Sequence, residues 1–215
     1  MRMMIEDYGA RVASVWEGLR STTRKMVVGA LQSPAGTTPP AQQAHGGGAT
    51  SYDARSDWEL SRLLAALDER VAEGGSALSD EQARETRRMA EACAVLLQNQ
   101  AQSAEVFSQL VTRAHRAHDF ARIDALADEL AERFAPSEMC ELARDDHAVV
   151  RALAHEALAQ SPTGVLVSLL VDPVDANIAR EAIERQADEY GIEEARHLVH
   201  MLDQAEMAAE EEDDA

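Results

Sequence analysis

An all-α fold is what the sequence predicts, and three observations carry the prediction. Apolar residues make up 46% of the 215-residue chain while aromatics make up only 4%, and much of the apolar share is alanine. Alanine has the highest helix propensity and little bulk, which suits closely packed helices and suits a sheet poorly. Apolar positions recur at steps of three and four along most of the chain, the spacing of one helix face. No run alternates apolar and polar residues between turn signals, as a half-buried strand would.

The N-terminal stretch, about residues 3–32, reads as one amphipathic helix. Ile5, Tyr8, Val12, Val15, Leu19, Thr22 and Met26 form a heptad seam, widened by Trp16 and Val27, and nothing interrupts it before Gly29. Residues 33–52 follow as a linker. Three prolines and four glycines fall between Ser33 and Ser51, with almost no large apolar residue. Such a segment cannot bury enough surface to fold, so the prediction is a disordered tether. The helix of residues 1–32 is then a separate element for docking or self-association, and a homo-oligomer through residues 3–32 is one expectation. An interfacial membrane helix is the alternative, suggested by Trp16, Arg20, Arg24 and Lys25 and weakened by Glu6, Asp7 and Glu17.

The main body spans 53–207. Ser56-Asp57-Trp58-Glu59 has the pattern of a capping box, followed by Leu60, Leu63, Leu64, Leu67 and Val71 on one face. Ser79-Asp80-Glu81-Gln82 opens the next helix in the same way, through Met89, Cys93, Leu96 and Leu97. A third helix presents Val106, Phe107, Leu110, Val111 and Ala114. A fourth is capped by Asp119 and presents Phe120, Ile123, Ala127, Leu130 and Phe134. After the break at Pro136, helices are predicted at about 137–144, 146–160, 162–171, 175–190 and 192–207. Residues 208–215 form an acidic tail.

Residues 142–158 and 169–183 look like two copies of one unit. Each reads as the end of a helix, an Asp-containing turn, and a second helix opening on a β-branched residue with alanines behind it. Asp145 or Asp146, and Asp172 or Asp175, can accept from free N–H groups at the next helix start. Val150 and Ile178 are placed to wedge between paired helices, and Ala154, Ala157, Ala179 and Ala182 permit close approach. On these residues, the stretch of about 137–190 resembles HEAT-like (PBS-lyase-type) helical repeats. The resemblance implies an α-α superhelix, a HEAT-like solenoid, with the helices between 57 and 134 extending it as two further pairs. It also implies an arginine–aspartate ladder between units. Arg151 follows Val150 as that ladder requires, whereas Ala179 follows Ile178 and the arginine comes one position later.

In such stacks the second helix of each unit lines the concave side. That face would present His147, Arg151 and His155, spaced by four, and Glu181, Glu184, Arg185 and Asp188 on the neighbouring helix. The expectation is a non-catalytic interaction module or scaffold that binds another protein through this face. HEAT-like folds also include enzymes that resemble bilin lyases and alkylpurine DNA glycosylases, and those remain alternatives, as does a metal-binding helical domain.

The chain offers little to reactive chemistry. It has no phosphate-cradling glycine loop, nucleophile elbow or zinc spacing. Glu194 and His197 have Glu-x-x-His spacing, but di-iron bundles need two such motifs plus two more carboxylates. His115 and His118 have no carboxylate pair to complete a metal site, and they suit a helix C-terminus as cations. No catalytic residue, cofactor or metal is expected. The net charge is −19, with five basic and three acidic residues in 1–32 and −21 on the rest. So acidic a body repels phosphate backbones, and no nucleic-acid partner is expected. Cys93 and Cys140 stand among apolar helix residues as small buried hydrophobes. With no run long enough to span a bilayer and no leader-like N-terminus, a cytoplasmic protein is expected.

Overall fold

The structure, a computed structural model, describes residues 5–32, 53–73 and 78–213. These residues are all-helical, with no strand among them, as predicted. A 3-10 turn at Ile5–Tyr8 precedes α1 (Ala10–Gly18), α2 (Ser21–Gln32), α3 (Ala54–Glu73), α4 (Asp80–Gln100), α5 (Ala104–Arg116) and α6 (Phe120–Arg133). There follow α7 (Pro136–Ala143), α8 (Ala148–Ala159), α9 (Thr163–Leu169), α10 (Ala176–Asp188) and α11 (Glu193–Asp213). The linker expected over 33–52 lies outside the described residues. α11 carries the chain as helix to Asp213, well into the stretch read as the tail.

The chain divides into two compact units, Met1–Val106 and Phe107–Ala215. The boundary is not at the linker. α3 and α4 pack together, α1 packs on α3, and α2 packs on α4, so the first 32 residues belong to the first unit instead of standing apart. α3 and α4 therefore form a core with the N-terminal helices. Leu60, Leu63, Leu64 and Leu67 of α3 are fully buried, as are Cys93 and Leu97 of α4. Each such leucine is worth roughly 1.5–3 kcal/mol of transfer free energy.

The N-terminal segment is not one helix. It breaks between Gly18 and Ser21, where Leu19 turns extended (φ −70°, ψ 145°). The predicted seam holds as far as the break, since Tyr8, Val12 and Leu19 are buried. Beyond it the phase slips by one residue. Thr23 and Val27 are buried, while Thr22 is exposed and Met26 only half-buried. Ile5, Val15 and Trp16 are half-buried. The seam is thus largely internal to the first unit, because α3 and α4 cover the face that was expected to be free.

At the break, Glu59 of α3 holds the start of α2, and Arg24 donates to the carbonyls of Glu17 and Leu19 at the end of α1. The Glu59 carboxylate is buried at 3% exposure and accepts from the Arg20 backbone N–H (3.2 Å), Arg20 Nε (3.1 Å) and the Thr23 hydroxyl (2.5 Å). Helix starts leave free N–H groups, and here a distant carboxylate takes one of them. The Arg20 guanidinium also donates to Asp53 (2.8 Å) and Ser56 (2.9 Å). The start of α3 differs from prediction for the same reason. Asp53 accepts from the N–H groups of Arg55 and Ser56 and so caps the helix, while Ser56 and Glu59 lie inside it and are buried. The next box is as expected: Ser79 and Gln82 satisfy each other's backbone N–H.

In the second unit Asp119 accepts from the Arg122 N–H and caps α6, with His118 in the left-handed region (φ 57°) just before it. Phe107 and Phe134 meet edge to face at 5.2 Å. α7 packs on α8 and on α9; α10 packs on α9, α8 and α11; α6 packs on α8. α7 thus meets α9 and α8 meets α10, and α10 also touches α7. Val150 is fully buried, Ile178 half-buried, and Ala154, Ala157, Ala179 and Ala182 are buried. Gln186 locks the register of the two pairs. Its side-chain amide is 1% exposed, donates to the carbonyls of Ala159 (3.1 Å) and Ser161 (2.6 Å), and accepts from the Thr163 hydroxyl (2.9 Å).

Candidate functional site

α8 and α10 pack against each other and bury alanines on both helices, so their outward faces lie side by side. α8 buries Val150, Ala154, Ala157 and Leu158, which turns His155 and Glu156 away from the core. α10 buries Ala179, Ala182, Ile183 and Gln186, which turns Glu181, Arg185 and Asp188 out. Two cross-helix pairs result. His155 Nδ1 stands 4.0 Å from the Glu181 carboxylate, and Arg185 donates to Glu156 at 3.1 Å.

Glu156 is the hub of this ridge. It accepts from the Tyr190 hydroxyl (2.5 Å), from Gln160 (2.8 Å) and from Arg185. The Tyr190 hydroxyl first, then Gln160 and Arg185, hold its carboxyl below the usual range. Accepting that bond pushes Tyr190 up from the usual phenol value. Arg185 is bridged by Glu189 as well as Glu156, and both raise its already high value. The ridge thus sets a network of charged side chains beside an exposed aromatic ring.

The predicted face is only partly assembled. His155, Glu181 and Arg185 come together on the ridge with Asp188 exposed near its end. Glu184 leans toward α11, pairing with Arg180 (2.9 Å), which also reaches Asp203 of α11 (2.6 Å). His147 and Arg151 turn to the α7–α8 loop. Arg151 donates to the carbonyls of Asp145 (2.7 Å) and Asp146 (2.8 Å), which binds the loop to its own helix. The His147 ring meets that of His115 at 5.0 Å. An ion pair links the end of α7 to the start of α10 instead, from Arg144 to Asp175 at 2.8 Å. Glu156 and Tyr190 were the residues that sequence reasoning passed over. Their spacing from Arg185 would have flagged them only once α8 and α10 were known to be adjacent.

Glu194 and His197 are exposed on α11. No group of three or more His, Cys, Asp or Glu side chains among the described residues is placed to hold a metal ion. Cys140 is buried, and burial, with Asp175 nearby, pushes its thiol up to about 11, far from a reactive thiolate. No helix among the described residues is long and apolar enough to cross a membrane. In comparisons with known proteins the chain matches no family model, no curated sequence and no solved structure. The HEAT-like resemblance therefore rests on the residues of the stretch 137–190 themselves.

Proposed function

We propose that the protein is a non-catalytic helical scaffold whose second unit is a HEAT-like stack that binds another protein through the α8–α10 ridge. The observation that carries this reading is the layering of α7, α8, α9 and α10, in which first helix packs on first and second on second. Repetition of a helix pair in that sense is how a stack grows, and it aligns the outward faces of successive second helices into one surface. The ridge on that surface has an interface-like composition. Tyr190 is 44% exposed, and an arginine stands beside it, the two residue types that dominate binding energy in protein interfaces. The carboxylates of Glu156, Glu181 and Glu189 around them favour a partner that brings positive charge.

Affinity capture from native lysate tests this, with the wild-type chain compared against Glu181→Lys/Asp188→Lys. Both positions are exposed, so the substitutions leave the core intact. At least one protein retained by the wild type should fall about tenfold or more in the variant. Identical bound sets for the two chains would remove the ridge as the working surface.

A further inference from the structure

Two histidines far apart in the chain meet in the second unit, away from the ridge. His115 stands in the last turn of α5, and His147 is the N-cap residue of α8. Their rings lie edge to face with centres 5.0 Å apart, and both residues are half-buried. His147 Nδ1 is buried and has no hydrogen-bond partner. Buried polar atoms are nearly always satisfied, so an orphan imidazole nitrogen beside a second imidazole needs a reason.

Both histidines are held by the backbone around them. Asp145 accepts from the His147 N–H at 2.7 Å, and Arg151 donates to the carbonyls of Asp145 (2.7 Å) and Asp146 (2.8 Å). At the end of α5 the Asp119 N–H donates to the Ala114 carbonyl (2.9 Å), and the His118 N–H to the His115 carbonyl (3.1 Å). Two imidazoles that share one tetrahedral ion, each with a nitrogen about 2.0–2.1 Å from the metal, put their ring centres roughly 5 Å apart. The rings of His115 and His147 already stand at that separation. Rotation about χ2 changes which nitrogen each ring presents. Local charge does not decide what binds, since Arg113 and Arg116 beside His115 are matched by Asp145 and Asp146 before His147. Ligand type decides instead: neutral imidazole suits zinc, nickel and copper, whereas magnesium and calcium take oxygen.

We propose that His115 and His147 together bind one divalent transition-metal ion of the zinc class, which ties the end of α5 to the start of α8. No third protein ligand among the described residues joins the pair, so the other positions of the ion are open to water and the site is an exchangeable one. It uses none of the ridge residues that carry the α8–α10 reading and does not rest on it.

The probe is zinc, titrated calorimetrically into the full chain at about pH 7.5, where imidazole is free to ligate. Magnesium at about 5 mM is present throughout to fill carboxylate sites without competing for imidazole. One ion per chain should bind. His115→Phe keeps an aromatic ring for the edge-to-face contact but offers no nitrogen, and it should weaken binding about tenfold or more. His147→Phe should do the same, while His197→Ala/His200→Ala on α11 should leave binding unchanged. Zinc should also raise the thermal midpoint of the wild type and leave that of His115→Phe where it is. Each chain is compared with its own zinc-free midpoint, which separates a lost ligand from a weakened fold. A wild type that binds no zinc under these conditions would overturn the proposal. So would zinc binding that survives both phenylalanine variants, or an equal rise in midpoint for His115→Phe, since either would place the ion elsewhere.

Discussion

Two arginine–carboxylate clusters of similar composition occupy the two units and do opposite things. In the first unit Glu59 is enclosed and takes three donors from the segment Arg20–Thr23. In the second Glu156 takes three donors too, but its side chain is 46% exposed and its partner Tyr190 is 44% exposed. Burial alone separates them. An enclosed carboxylate must be satisfied by the fold, so its loss is felt as instability. A solvated one can exchange its donors for water or for a partner's side chains, so its loss is felt in binding.

The largest expected effect follows from breaking the enclosed cluster. Glu59→Ala leaves the Arg20 N–H and the Thr23 hydroxyl without their acceptor, with Thr23 fully buried. The cost should be about 2–3 kcal/mol, below the range for deep ion pairs because Arg20 is one-third exposed. Trp16 and Trp58 both lie in the first unit, so the denaturant midpoint of tryptophan fluorescence reads it directly. The pH dependence has a definite sign. Burial pushes the Glu59 carboxyl up, but the Thr23 hydroxyl and the Arg20 N–H and guanidinium outweigh that and leave it below the usual glutamate range. A depressed folded value contributes stability that is present above the ordinary glutamate range and is lost as pH falls through the folded value. The wild-type midpoint should therefore drop on acidification more steeply than that of Glu59→Gln. Parallel profiles would mean the cluster is not what holds the N-terminal helices down.

The same cluster explains what could and could not be read from the chain. Helix periodicity, the Ser79 box, the Asp119 cap and the repeat alanines are local or one-face signals, and the structure has each of them. The break after Leu19 has only a weak local signal, Gly18 at the end of α1, and Leu19 keeps the heptad phase. A carboxylate 39 positions away takes the Arg20 N–H there. Asp53 and Ser56 both fit a cap pattern, and only the burial of Glu59 decides between them. On the ridge, helix phase pointed to His155, Glu181, Arg185 and Asp188 but not to Glu156 or Tyr190. Which of them pair was not legible, because pairing depends on how α8 and α10 lie against each other. Arg151 shows the limit well, since its spacing fits a ladder but its nearest acceptors are the carbonyls of its own turn.

Between the extremes stands Asp175, 7% exposed at its side chain, with Arg144 at 40%. Replacing the carboxylate by Asp175→Ala removes the charged bond between the α7–α8 and α9–α10 pairs. Arg144 recovers much of its hydration, so the expected cost is about 1 kcal/mol. Amide hydrogen exchange should show it as faster opening of α9 and the start of α10. Protection there equal to wild type would show that the Gln186 bonds alone hold the two pairs in register.

The smallest stability effect belongs to the exposed cluster. Arg185→Ala takes a donor from Glu156 and Glu189, but both carboxylates are about half exposed and water replaces the guanidinium. The change should be under about 0.5 kcal/mol, smaller still in high salt, and without consequence for the tryptophan-monitored transition. Partner capture should respond instead, because the arginine beside Tyr190 orders the carboxylates of Glu156 and Glu189. A thermal midpoint lowered as far as by Glu59→Ala, with capture unchanged, would reverse the roles of the two clusters. It would make the ridge part of the scaffold's framework and leave the binding surface to be sought elsewhere on the second unit.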